Sequence, residues 1–174
     1  MKIKFDKYKI RSFHSTDKEA LIKYANNFNI AQNLRDSFTY PYTEKDAELW
    51  LTVALNQNPE LNFAIANEVE LIGGIGLMPQ QDVYRFSAEI GYWLAEPFWG
   101  NNIATNALIA MTKFAFENFN FNRLFANVFE FNPASEKVLQ KAGYKLEGRM
   151  RKAVYKNGKF LDQMIYSILK DEVV

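Results

Sequence analysis

Between Ala88 and Asn106 the sequence runs Ala-Glu-Ile-Gly-Tyr-Trp-Leu-Ala-Glu-Pro-Phe-Trp-Gly-Asn-Asn-Ile-Ala-Thr-Asn, and its residue types suit the holding of an anion. A β-rich run breaks at Pro97, passes Gly100, Asn101 and Asn102, and enters an apolar-periodic segment whose spacing predicts a helix from Ile103 to Asn118. The first N–H groups of a helix have no intrahelical acceptor, and the aligned peptide dipoles add partial positive charge there. A phosphate can therefore be held without a cationic side chain. The loop must let the backbone approach the anion and adopt positive φ, which Gly100 does freely and Asn102 does better than most residues with a Cβ. A plain strand-to-helix connection accounts for the same residues equally well, since one Gly is a weaker signal than a repeated Gly motif.

Other chemistries are closed by composition. There is no Cys, so there is no thiol nucleophile, Cys-ligated zinc or disulfide framework, and His14 is the lone histidine, so no metal site built on His is expected. Lys and Arg number 21 against 20 acidic residues, which argues against a nucleic-acid scaffold or a membrane-surface protein. Any acidic or basic preference must be local. The 174 residues suit one domain, 1–174, with a core of its own. Met-Lys-Ile-Lys-Phe-Asp-Lys at the start has no long apolar stretch, so neither a signal peptide nor a membrane span is expected there, and the expected location is the cytoplasm.

The elements that must position the loop can be read in turn. Ile3, Phe5, Tyr8, Ile10 and Phe13 read as one strand. A capping box at Thr16 and Glu19 opens a helix through Leu21, Ile22, Tyr24 and Ala25, and a second, Thr43 with Asp46, opens another through Ala47, Trp50, Leu51, Ala54 and Leu55. Phe63 to Ala66 and Leu71 to Met78 read as strands, followed by one ending at Leu94. Gly73, Gly74 and Gly76 lie inside a strand and precede no helix, so close packing explains them better than phosphate binding. In the helix from Ile103, the apolar Ile109 and Phe116 interrupt the polar side and call for a covering element or partner. Leu124 to Phe129 is apolar on both faces, as in a central strand. Asn132, Pro133 and Gly143 punctuate a last helix, and Asn157-Gly158 joins two strands, Met150 to Tyr155 and Phe160 to Leu169.

Glu-Ile-Gly-Tyr-Trp-Leu at 89–94, Phe-Trp-Gly-Asn-Asn-Ile-Ala-Thr-Asn-Ala at 98–107, Asn-Pro-Ala-Ser from 132 and Gly143-Tyr144 together resemble the GNAT N-acetyltransferases. Arg35 to Thr43 with Asp46-Ala47 narrows the resemblance to the RimJ/RimL-type branch, which acetylates the N-termini of ribosomal proteins and includes enzymes acting on small amines. The resemblance covers nearly the whole chain in the expected order. It implies an α/β (mixed α+β) fold, with a twisted, mostly antiparallel central sheet of about seven strands and helices on both faces. A splayed central strand pair in that fold binds acyl-CoA.

The resemblance also implies roles. Backbone groups around Trp93 and Leu94 would hold the pantetheine arm of acetyl-CoA and face the thioester. The segment Trp99, Gly100, Asn101, Asn102, Ile103, Ala104 and Thr105 would take the pyrophosphate. The general family pattern has Arg or Gln, two free positions, Gly, one free position, then Gly or Ala. Those places hold Trp99, Asn102 and Ala104, with Trp usual in this branch and Asn102 replacing the central Gly. Many members protonate the departing thiolate from a Tyr seven places after the Asn that opens the last helix, where this chain has Leu139. Ser135 is the remaining hydroxyl and the usual candidate in this branch, although a Ser so early in a helix also bonds to local backbone. Asn132 is both an N-cap and a cofactor contact, and Lys141 and Lys137 are phosphate candidates that also fit a solvated helix face. Glu89, in the strand that should line the acceptor side, is the first choice for the base, directly or through water; an exposed strand carboxylate is the plain alternative.

The reaction implied is direct attack of a neutral amine on acetyl-CoA in a ternary complex, which needs no covalent enzyme intermediate and no metal. The acceptor is a protein N-terminus or a small amine, and Glu44, Asp46, Glu48 and Glu89 are the carboxylates that would suit a polycation, although acids also stabilise a helix N-terminus. Two other readings stand beside it. Asn102 and Leu139 motivate a non-catalytic acyl-CoA sensor or interaction module. An aromatic content of 16%, with Ile109 and Phe116, motivates a structural homodimer.

Overall fold

The computed structural model describes residues 1–173 and resolves the chain into two compact units. The first comprises Met1–Gly76 with Tyr92–Ala107, and the second Leu77–Gly91 with the chain from Leu108 on.

The first unit opens with a hairpin, β1 (Lys2–Phe5) and β2 (Tyr8–Arg11), in place of the single expected strand. The reason is visible in the pattern itself. Apolar residues shift from odd to even positions between Phe5 and Tyr8, and in a continuous strand that shift would send one set to the wrong face. Asp6 takes φ +49° at the turn, a conformation Asp tolerates. A 3-10 turn, Ser15–Asp17, then leads into α1 (Lys18–Ala25). The Thr16–Glu19 capping box does not form: Asp17 holds the cap position, and its buried carboxylate receives both guanidinium nitrogens of Arg11 at 2.7 Å and the His14 N–H at 2.8 Å. A buried carboxylate needs its partner more than a helix needs one cap.

After the short α2 (Phe28–Ala31), α3 (Glu44–Leu55) starts at the expected box, with Thr43 N–H on Asp46 Oδ2 at 2.7 Å and Asp46 N–H on Thr43 Oγ1 at 3.4 Å. β3 (Asn62–Ala66) pairs antiparallel with β2, and β4 (Leu71–Pro79) antiparallel with β3. Phe13, Leu21, Leu51, Ala64 and Leu71 form the heart of this core, and the Trp50 ring meets Phe13 edge-on at 5.8 Å. Each such buried large side chain is worth about 1.5–3 kcal/mol.

In the second unit, the start of β5 (Ser87–Leu94) runs parallel to β6 (Arg123–Phe129). β6 pairs antiparallel with β8 (Lys159–Leu169), and β8 with β7 (Lys145–Lys156). Leu124, Ala126 and Val128 are buried and Phe125 and Asn127 half-buried, as suits a strand with neighbours on both edges. Asn157 (φ +50°) and Gly158 (φ +78°) close the β7–β8 hairpin in the two-residue form expected of Asn-Gly. Helix α4 (Ile103–Asn118) begins in the first unit and continues from Leu108 in the second, and α5 (Pro133–Lys141) belongs to the second. Among the described residues the strands number eight against the expected seven or so, because the first segment is a hairpin. Apart from β5–β6, the described ladders are antiparallel. Phe116 is covered within the fold, whereas Ile109 is 46% exposed. Among the described residues, no helix is long and apolar enough to cross a membrane, and no group of three or more His, Cys, Asp or Glu is placed to hold a metal.

Candidate functional site

The loop after β5 has the backbone that its residue types predict. A 3-10 turn, Glu96–Phe98, follows the strand, and Gly100 takes φ +77° and Asn102 φ +56°. The Asn102 carbonyl accepts from the Asn106 N–H at 2.9 Å, so α4 springs directly from it. The N–H groups of Ile103, Ala104 and Thr105 therefore precede the first helical hydrogen bond and have no intrahelical acceptor. No heavy atom lies within 4 Å of where a Gly100 Cβ would stand. Gly100 thus serves its positive φ rather than close packing, and the open side leaves room for a group approaching the loop. Loop residues bind one another as well: Trp99 Nε1 donates to the Leu94 carbonyl at 2.7 Å, and Asn101 Nδ2 to the Trp99 carbonyl at 3.0 Å. Trp99 and Asn101 hence use these side-chain donors to shape the loop. A left-handed pair followed by the open N-terminus of a long helix fits a pyrophosphate.

Three contacts in the first unit that sequence reasoning missed fix this segment. The Glu96 carboxylate accepts from Asn27 Nδ2 at 2.6 Å and Asn29 Nδ2 at 3.2 Å, and these hydrogen bonds hold its carboxyl below the ordinary glutamate pKa. Phe98 meets Tyr24 edge-on at 5.9 Å. Trp93 lies flush against β4: a Cβ on Gly74 would stand 2.7 Å from its Nε1, and one on Gly73 would strike its carbonyl oxygen. The glycines of β4 therefore serve close packing, as their place in a strand implies. On its other contact, Trp93 meets the ring of Phe38 at 5.7 Å, and Phe38 meets Tyr42 at 5.5 Å. Burial, with Asp46 nearby, pushes the Tyr42 hydroxyl up to about 12, so it stays protonated at neutral pH.

The acids of α3 have structural employment. Lys18 Nζ pairs with Glu44 at 2.6 Å and Glu48 at 3.2 Å, and Asp46 is held by Thr43. These partners lower the pKa of Glu44 and Asp46 below the usual carboxylate values.

In the second unit, Glu89 is half-buried on β5 and forms, with Phe125, the last pair of the β5–β6 ladder. Beyond that point β6 runs on to Phe129 with β8 alone as its described partner, so the parallel pair parts after three residue pairs. Asn132 caps α5 with its side-chain oxygen on the Ser135 N–H at 3.2 Å, which leaves its amide NH2 to face other groups. Ser135 is half-buried in the first turn, whereas Lys137 and Lys141 are exposed. Leu139 is fully buried, so the place for which the resemblance implies a Tyr is here part of the core. Tyr166 anchors α5, donating to Glu136 at 2.6 Å and accepting from Gln140 Nε2 at 3.3 Å. The structure thus gathers Trp93, Leu94 and Trp99 to Thr105 in the first unit, and Glu89, Asn132, Ser135 and Lys141 in the second.

Residues 8–145 match the family profile described as the acetyltransferase (GNAT) domain. The uncharacterized N-acetyltransferase YoaA of Bacillus subtilis is 37% identical over 101 residues, 58% of this chain and 56% of its own length. The ribosomal-protein-serine acetyltransferase of Escherichia coli is 32% identical over 109 residues, 63% of this chain and 60% of its own. The chain therefore spans little more than half the length of these relatives. Among solved structures, RimL, the ribosomal L7/L12 alpha-N-protein acetyltransferase in complex with coenzyme A, shares the fold with a TM-score of 0.87, at 23% identity over 99% of both chains.

Proposed function

The chain belongs to the GNAT acetyltransferase family, and on that premise we propose that it transfers an acetyl group from acetyl-CoA to a primary amine, the N-terminus of a protein, by direct attack in a ternary complex. The observation that carries this reading is the backbone from Gly100 to Thr105, left-handed at Gly100 and Asn102 and leading into the first N–H groups of α4. Ile103, Ala104 and Thr105 donate these N–H groups to the pyrophosphate. The β5 backbone at Trp93 and Leu94 aligns the pantetheine arm, with the Trp93 ring fixed between Gly74 and Phe38. Acetyl-CoA supplies the activated acyl group. Glu89 takes a proton from the acceptor's ammonium, directly or through water, so that the neutral amine attacks, and Ser135 gives a proton to the departing thiolate. With no Cys in the chain, no thiol can carry the acyl group on the way.

A ribosomal-protein acceptor is supported by the names of the E. coli relative and of RimL, and a cytoplasmic location goes with such an acceptor. The ion pairs that occupy Glu44 and Glu48 speak against a polyamine site built on them. Asn102 in the left-handed region removes one of the two grounds for a non-catalytic sensor, and buried Leu139 is the ground that stays. Calorimetric titration with acetyl-CoA, followed by thiol release against a panel of N-terminal peptides and small amines, tests the proposal. One-site binding with peptide-dependent thiol release is expected. Binding without release across the panel would establish the sensor reading, and no binding would overturn both.

A further inference from the structure

The near-zero net charge conceals a strong local imbalance. Residues 145–160 hold six of the chain's 21 Lys and Arg and one of its 20 acidic residues, a local charge of +5 that leaves −4 on all the rest. They form β7, the Asn157-Gly158 turn and the start of β8, within the second unit. Two of the cations are engaged, Lys145 with Glu172 and Arg149 with Glu130 and Asp162, and Lys156 is buried. Arg151, Lys152 and Lys159 are exposed. Arg151 and Lys152 fall where the β7–β8 register shifts between Met150 and Val154, and Lys152 has φ +51°.

Protection of a sheet edge explains a bulge and cations on it, because both hinder pairing with another strand. It does not explain the aromatic pair beside them. Tyr155 and Phe160 face each other across the hairpin with ring centroids 5.1 Å apart, and they are 62% and 66% exposed. An edge under protection against association would carry polar residues at these places. Exposed aromatic faces among exposed cations, in excess of the one acid of the segment, offer an unstructured polyanion both of its needs, a stacking platform for bases and a charge for phosphates.

We propose that the β7–β8 hairpin is a docking surface for single-stranded RNA, with Tyr155 and Phe160 stacking on bases and Arg151, Lys152 and Lys159 meeting phosphates. This goes beyond acetyl transfer and stands on different residues. Charge complementarity selects an acidic partner, and the aromatic pair selects, among acidic partners, one with unpaired bases to stack, as single-stranded RNA has.

Fluorescence anisotropy of a labelled 15-nucleotide single-stranded RNA, titrated with the full chain in 50 to 200 mM salt, tests it. Saturable binding is expected, with a slope of log K against log salt of about −2 if three phosphates are neutralised. Tyr155→Ala with Phe160→Ala is expected to weaken binding about tenfold or more with the slope kept. Arg151→Gln, Lys152→Gln and Lys159→Gln together should flatten the slope. Circular dichroism and an unchanged melting temperature show that the variants are folded, and single substitutions replace any multiple variant that is not. No binding at 50 mM salt, binding indifferent to both sets of changes, or equal competition by poly-glutamate would overturn the proposal, the last in favour of an acidic polypeptide. Each of these outcomes leaves the acetyl-transfer reading intact.

Discussion

Asn102 stands in the proposed phosphate loop where the resemblance implies a Gly, and its φ of +56° makes the consequence of replacing it calculable. A left-handed conformation costs a residue with a Cβ about 1–2 kcal/mol, which Gly escapes and Asn partly recovers through local hydrogen bonds. A β-branched side chain has no such recovery. Asn102→Val should therefore lose about 1–2 kcal/mol relative to Asn102→Gly, with the wild type between them. The loss can surface in two places. If the free loop relaxes out of the left-handed region, binding must restore the conformation and the acetyl-CoA dissociation constant rises, about tenfold for each 1.4 kcal/mol. If the loop stays in place, the strain is present in free and bound protein alike. It then appears as a lower melting temperature, about 2–4 °C for each kcal/mol in a chain of this size. Calorimetric titration and thermal melting of the Gly, Asn and Val forms read both, and the two losses should sum to the same total. The Asn102 carbonyl that receives the Asn106 N–H is backbone, and that bond is available to all three forms. A Val form equal to the wild type in both measurements would refute the reasoning.

Ser135→Ala is expected to lower turnover about 100-fold, in the range for a lost proton donor, with acetyl-CoA affinity nearly intact. Steady-state thiol release with calorimetry checks both, and unchanged turnover removes Ser135 from the mechanism. Glu89→Gln should abolish the acidic limb of the pH–rate profile, and a limb that survives assigns the base to another group. The Glu96 clamp predicts a pH dependence of stability. Its folded pKa lies below the ordinary value of 4.5, so its contribution is full above that value and is lost as pH falls through the lowered one. The melting temperature of Glu96→Gln should accordingly trail the wild type at pH 6 and converge with it in more acid solution, and a gap of constant size would count against the clamp.

What could be read in the sequence, and what could not, divides by the range of the interaction. The cap of α5, Asn132 to Ser135, and the Thr43–Asp46 box are each written within four residues, so both stand in the structure as the residue types demand. The left-handed backbone of Asn102 is equally local, because a steric preference of the residue itself decides it. The failures come where a distant partner competes. Thr16 and Glu19 spell a capping box, yet Asp17 beside them answers to Arg11 across the β2–α1 connection, and a buried ion pair outweighs a cap. Glu96 is clamped by Asn27, 69 positions away, and the close packing read from Gly74 does not name its partner, Trp93. Such contacts leave no periodicity and no fixed spacing, since the fold and not the chain makes them neighbours. The first strand is the instructive middle case. The change of parity between Phe5 and Tyr8 lay in plain sight, and only the register Phe5↔Tyr8 gives it meaning as a turn. Residues proposed to hold the ligand through their own backbone are therefore the legible part of the candidate site. The side chains that hold that backbone still, Glu96, Phe38 and Trp93, become visible only when the sheet and its helices are assembled around them.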